Sequence, residues 1–162
     1  MKASDYNLER DIMLSIPSGR VPYSSSVNKF GRNFDIGTTK EDIWAGGGDY
    51  TYSSTADITH IVSSSASDTF EVEIEGLDTN WNLVTQAKTL TGTTGIDLDT
   101  ALIRVFRMKN VSASPAIGTI QIGVGAVTSA FTAGNLRANI VIGYEQTLLA
   151  QYTIPKGKTG YM

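Results

Sequence analysis

Few side chains in this 162-residue chain are of the types that acid–base, metal or sugar chemistry requires. His60 is the sole imidazole, set in Ile58-Thr59-His60-Ile61-Val62. A lone histidine acts as a general base only beside a group it can activate, and no Gly-x-Ser-x-Gly elbow accompanies it. It reads as a strand histidine without a catalytic role. Glu71, Glu73 and Glu75 place carboxylates at every second position. Two carboxylates about 5–9.5 Å apart can hydrolyse a glycoside, and same-face neighbours on a strand stand about 7 Å apart. An acid and a base must still approach the bond from different sides, which a single row does not offer. The row therefore reads as a charged sheet face, solvated or set against another subunit, with Lys88 on the adjacent strand as its expected counter-charge.

Asp97 and Asp99, with Asp78 and Asn80 in another turn, carry oxygens that Ca²⁺ accepts. They lack the twelve-residue loop with its central glycine and closing bidentate glutamate, and turn or capping duty explains them at less cost. Trp44, Tyr50, Tyr52 and Trp81 could stack on a sugar, but aromatics of a β protein more often fill its core; a glycan platform is the alternative reading of these four. Lys29 and Arg32 make too small a cationic term for phosphate recognition, and acidic side chains on another protein subunit suit them better. No catalytic residue, cofactor or metal ligand is assigned.

The elements around these residues are strands. Phe70, Val72 and Ile74 alternate with the three glutamates, Gly76-Leu77-Asp78-Thr79-Asn80 breaks the run, and alternation resumes from Trp81 to Leu90. Such period-two patterning predicts a half-buried antiparallel hairpin. Further strands are expected at 57–63, 102–110, 118–125, 139–143 and 147–154, separated by Gly-, Ser- and Pro-bearing breaks. The expected core comprises Phe70, Val72, Ile74, Trp81, Leu83, Leu102, Ile103, Val105, Phe106, Met108, Ile120, Ile122, Val124, Ile140, Ile142, Leu148, Ala150, Tyr152 and Ile154. The triple Gly46-Gly47-Gly48 calls for a loop or bulge with positive φ, and no Walker lysine and serine follow it. The fold class is all-β: an antiparallel β-sandwich, jelly-roll-like, with an extended N-terminal arm. The arm is residues 1–36, with a short amphipathic helix over 6–16, and the sandwich domain is residues 37–162. Val27, Lys29, Phe30, Arg32, Asn33 and Phe34 give the arm apolar mass and charge without a core of its own. It is expected to lie on something, either its own domain or a neighbour, as an interface.

Composition agrees. The chain has no cysteine, so disulfides and thiolate sites are impossible. A net charge of −3 gives no basic patch for nucleic acid, and no apolar run approaches the roughly 20 residues of a membrane span. The scattered charges Lys2, Asp5, Glu9, Arg10 and Asp11 do not form a secretory signal.

Val27-Asn28-Lys29-Phe30-Gly31-Arg32-Asn33 resembles an element near the start of virion structural proteins of tailed, mostly aquatic, bacteriophages. Glu41-Asp42-Ile43-Trp44 with Gly47-Gly48-Asp49-Tyr50, and Glu75-Gly76-Leu77-Asp78 leading to Thr89-Leu90-Thr91-Gly92, are similar to further elements of those proteins. So are Arg104-Val105, Gly118-Thr119-Ile120, Glu145-Gln146-Thr147 and Tyr152-Thr153-Ile154-Pro155-Lys156-Gly157-Lys158. The resemblance spans most of the chain from residue 27 onward and rests on the order and spacing of the motifs. It implies a non-enzymatic virion component without a cofactor, made in the host cytoplasm. The expected role is a capsid cement or decoration protein, a homotrimer on the head surface, with the phage major capsid protein as partner. A tail or neck component (adaptor or fibre-attachment piece) is the first alternative, and a receptor- or glycan-binding module, with a host-surface glycan as ligand, the second. Similar sequences run on past the turn at Pro155-Lys156-Gly157-Lys158. The resemblance thus implies either a shortened relative that borrows a partner's strand or a missing C-terminal part.

Overall fold

The computed structural model describes residues 12–160. Its strands are β1 (Ile58–Ser63), β2 (Glu71–Leu77), β3 (Leu83–Thr89), β4 (Ile96–Leu102), β5 (Arg104–Asn110), β6 (Ile120–Val124) and β7 (Leu136–Ile140), preceded by the single helical turn α1 (Ile12–Ser15). One sheet runs β4-β1-β6-β7 and the other β3-β2-β5, and every pairing is antiparallel. Facing sheets of this kind form the expected β-sandwich. Positions 6–11 of the expected helix lie outside the described residues.

The β2–β3 hairpin follows its alternation. Its register runs unbroken from Glu71↔Thr89 to Leu77↔Leu83. Asp78 shapes the turn by accepting the Asn80 and Asn82 N–H groups at 2.8 and 2.9 Å. Those backbone donors, with the Asn82 side chain, hold the Asp78 carboxyl below its usual range. Val72 and Ile74 are fully buried, and with Ile58, Ile61, Leu102, Met108, Ile120, Ile122 and Ile140 they form the main core. A bulge between Glu75 and Gly76 shifts the β2–β5 register. Val105 and Met108 thereby reach the main core, while Phe106 and Ile103 join Leu77 in a second, smaller cluster with Trp81 and Ala56. Both faces of β5 are accordingly buried, as its mixed phase implies.

Several expectations are corrected. Asp97 and Asp99 lie on strand β4, not in a turn. Residues 139–143 give way to β7 at Leu136–Ile140, and 147–154 is not a regular strand. That last segment still completes β5: Asn110 N–H donates to Glu145 O at 2.9 Å and Thr147 N–H to Met108 O at 3.0 Å. Leu83, Ile142, Ala150, Tyr152 and Ile154, expected in the core, are exposed. Leu83 is 57 % exposed because it falls on the outer face of an edge strand. Lys88 does not meet the glutamate row; it crosses to Asp99 at 2.7 Å. Across the ladder the row faces Lys109 and Arg107 instead, with Glu73↔Lys109 and Glu75↔Arg107 in register.

Two polar devices hold the sheets in place. The Gln86 amide of β3 donates to Thr100 O at 2.9 Å and accepts from Thr100 N–H at 3.0 Å, so a side chain stands in for a strand on the β4 edge. Asp68, 1 % exposed, accepts from Ser63 Oγ at 2.5 Å and from the N–H groups of Ile117 and Gly118, both at 2.9 Å. One carboxylate thus ties the end of β1 to the approach to β6.

Candidate functional site

The segment 29–34 lies on its own domain, which settles where that part of the arm goes. Gly31 passes between the 43–45 and 148–150 segments; a Cβ there would come within 2.6 Å of Ala150 N and closer still to Ile43 O. Only glycine fits such a passage between two main chains. On either side the backbones interlock: Leu148 O accepts from Arg32 N–H at 3.4 Å and from Ala45 N–H at 3.2 Å, while Ala150 N–H donates to Ile43 O at 3.2 Å. Residues near both ends of the chain therefore form one clasp along the outer edge of β5.

Three of the six proposed interface residues serve this clasp. The half-buried Lys29 ammonium donates to Phe106 O and sits 5.9 Å from the Phe106 ring centre. Desolvation lowers its pKa, and nearby Glu75 opposes that shift. Arg32 donates to the Tyr144 hydroxyl at 2.6 Å and stacks on Phe34 at 4.6 Å. Asn33 donates to Glu41 Oε2 at 2.7 Å, and the same carboxylate accepts the N–H groups of Gly37 and Gly48. These donors, Asn33 first, hold the Glu41 carboxyl below its ordinary value. Its contribution is therefore present above the usual carboxylate range and fades as acid protonates it.

The other three turn outward. Val27, Phe30 and Phe34 are exposed, Phe30 by 56 % and Phe34 by 44 %, and Ile36 and Ile43 are exposed nearby. Phe34 is steadied by an edge contact with Tyr144, ring centres 5.7 Å apart. A run of large apolar side chains is thus presented to solvent on a backbone fixed to the body.

The four-aromatic platform is corrected. Trp44 and Tyr50 are 4 % and 8 % exposed and belong to the main core. Trp44 is pinned by Nε1–H to Gly48 O at 3.1 Å and packs edge-on against Tyr50 at 5.1 Å. The Gly47 and Gly48 φ angles of 73° and 64° allow this fold-back, as the triple glycine predicts. Tyr52 and Trp81 remain more accessible, but both rings face Arg104, at 5.0 and 5.1 Å. That guanidinium in turn donates to Ser53 O and Ile103 O.

Burial raises the Tyr50 hydroxyl from 10.0 to about 12, with Arg137 and Arg104 pulling weakly the other way. A raised folded-state value leaves stability intact below pH 10 and removes it as the unfolded chain ionises between pH 10 and about 12. Tyr50→Phe is therefore expected to behave as wild type at pH 7 and to lose about 2–3 kcal/mol less across that alkaline interval. Urea titrations at pH 9 and above check this; identical alkaline slopes would refute it.

His60 sits on β1, between β4 and β6. Thr59 Oγ1 lies 2.8 Å from its Nδ1, and its Nε2 is 2.9 Å from Asp97 Oδ1. The order hydroxyl–imidazole–carboxylate is that of a hydrolytic triad. Thr59 Oγ1, however, also accepts Gly125 N–H at 3.3 Å, so the trio on the paired strands β1 and β4 is tied as well to the residue that follows β6. It registers the sheet. A depression of about 310 Å³ opens elsewhere, bordered by Trp44, the 46–49 turn, Thr51 and the 133–136 turn, with Asp49 and Thr51 bringing a carboxylate and a hydroxyl to its wall. Among the described residues no group of three or more His, Cys, Asp or Glu is placed to hold a metal, and no helix is long and apolar enough to cross a membrane.

Sequence reasoning located the apolar arm through Phe30 and Phe34 but missed Asp68 and Gly31. The Gly31 signal was its place between two residues that grip the body, and the Asp68 signal its place behind a serine turn. No family model, curated protein or solved structure matches this chain.

Proposed function

We propose that this protein is a non-enzymatic virion structural protein, a cement or decoration protein that binds the outer surface of an assembled phage head and stabilises it. The observation that carries the reading is the fixed display of Val27, Phe30, Phe34, Ile36 and Ile43. A monomer surface rarely leaves so many large apolar side chains exposed along one short stretch without a partner to cover them, and the clasp lowers the entropy cost of ordering the 29–34 part of it at binding. The sequence resemblance supplies the kind of partner, the phage major capsid protein. Binding only the assembled shell stabilises that shell by mass action, and repetition over many equivalent sites multiplies a modest contact energy.

The test uses purified shells and the full chain. Val27→Ser, Phe30→Ser and Phe34→Ser combined removes three partly exposed apolar groups at roughly 1 kcal/mol each. Affinity for shells should fall about a hundredfold, with the circular dichroism and melting temperature unchanged. Undiminished binding discards the arm as the adhesive surface. Deleting residues 1–36 is a poorer test, because it also removes Gly31 and Arg32 from the clasp. Copies per particle separate a shell component, present once per capsid subunit or so, from a tail or neck component, present once or twice per ring subunit.

A further inference from the structure

The opposite edge of the same sheet from the clasp is β3, and its backbone phase can be worked out. Ile74 stands in register with both Met108 on β5 and Gln86 on β3. The Met108 N–H and C=O turn away from β2, toward Thr147. Ile74 therefore directs its own groups to Gln86, because opposed residues alternate between bonded and non-bonded pairs. The Asp78–Asn82 and Leu90–Phe70 bonds show the same even-numbered phase. Along β3 the even residues bond β2, and Leu83, Thr85, Ala87 and Thr89 aim their N–H and C=O groups outward. No described residue takes up these groups in a backbone bond.

An open edge is normally guarded by charge, proline, a bulge or brevity. β3 has seven residues, no proline and an unbroken register with β2. Its single charge, Lys88, is turned across to Asp99. The outward-phase side chains are Leu83, Thr85, Ala87 and Thr89, all exposed and uncharged.

We propose that β3 is the pairing edge for a second copy of this chain, giving a two-fold dimer whose three-stranded sheets join into one. The register follows from the phase. With Gln86 opposite Gln86 of the second copy, Thr85 meets Ala87 and Leu83 meets Thr89, each in both directions. All of these are bonded pairs, so every outward N–H and C=O in β3 finds a partner. Moving the register by two residues in either direction leaves one end of the strand unpaired. No like charges oppose one another on adjacent strands: Lys88 falls beside Val84, and Glu73 lines up with Glu75 of the second copy only across three strand spacings, roughly 14–15 Å, beyond the screening length of about 8 Å. Self-pairing of one edge closes after two copies. The three-fold knob that the resemblance implies is therefore not what this edge builds. The inference is independent of what the arm binds, because the clasp occupies the other side of the sheet.

Sedimentation of the full chain across a wide concentration range tests it. Wild type should run at twice the chain mass. Ala87→Pro, which gives up only an outward N–H, should run as a monomer with unchanged circular dichroism and melting temperature; Thr85→Lys should do the same without altering the backbone. The chain has no cysteine, so register can be read directly. Thr85→Cys and Ala87→Cys copies should cross-link when mixed, since bonded partners lie within disulfide reach, and neither should cross-link efficiently alone. A monomeric wild type, a three-fold mass, or dimers that survive both edge substitutions would overturn the proposal.

Discussion

Asp68→Ala is expected to lower the melting temperature by about 10–15 °C. The carboxylate is buried and satisfies three donors from two separate segments. Alanine leaves the buried Ser63 hydroxyl and Gly118 N–H without an acceptor, and hands the Ile117 N–H, on an exposed residue, to water. Each orphaned donor costs about 1–3 kcal/mol, and the costs do not add fully because the loop can admit water. A total of about 3–5 kcal/mol follows, and in a chain of this size each kcal/mol moves the midpoint by about 2–4 °C. Asp68→Asn keeps one acceptor oxygen but turns an amide donor toward the remaining donors, so it should fall between alanine and wild type. Thermal and urea unfolding measure both. An alanine variant within about 1 kcal/mol of wild type would show that the two segments are held by packing alone.

Gly31→Ala should detach the clasp while leaving the sandwich folded. The added methyl meets main-chain atoms of Ile43 and Ala150, which cannot rotate aside as a side chain would. Overpacking of this kind costs about 1–3 kcal/mol. The segment can escape the cost by lifting away, giving up Arg32 N–H···O Leu148 and the Lys29 contact with Phe106. Amide exchange should accelerate at Arg32, Ala45 and Ala150 and stay slow in β1, β2 and β6. Under the proposed function, loss of the fixed display of Phe30 and Phe34 should also weaken binding to shells by at least about tenfold. Gly134→Ala is the control, since no atom lies within 4 Å of a methyl there and its φ is not in the positive range. Protected amides at 45 and 150 in the Gly31 variant would refute the mechanism.

The same residues explain what could be read from the sequence. The β2–β3 hairpin was legible because Val72 and Ile74 alternate strictly with glutamates and the pairing is local. The Gly47–Gly48 turn was legible because only a few backbone conformations require consecutive glycines. Strand β4 was hidden by its own polarity: Asp97 and Asp99 look like turn residues until Ile96 and Leu98 are found facing the core. Leu83 kept the right alternation, but alternation does not say which strand will be an edge; Ile142 falls past the end of β7, in the turn where Tyr144 N–H donates to Val141 O. Residues 147–154 mimic a strand because Leu148, Ala150, Tyr152 and Ile154 are evenly spaced, yet their pairing is divided between β5 and two irregular segments. The apolar content of the arm announced a surface. The inward turn of Lys29 and Asn33 depends on carbonyls and carboxylates supplied from elsewhere in the chain, which no local pattern reveals.

The Leu148 carbonyl receives both Arg32 and Ala45, so a segment made late is needed to seat two that were made long before it. At about 5–20 residues per second, roughly 100 residues of translation separate those partners, a wait of about 5–20 s. Until it ends the 29–34 segment has no seat on the body, and from the moment β5 (Arg104–Asn110) is made its outer edge stands open as well. Seating of the 29–34 segment therefore waits on the synthesis of residue 148, and a chain cut short before it should keep an open β5 edge and a tendency to aggregate.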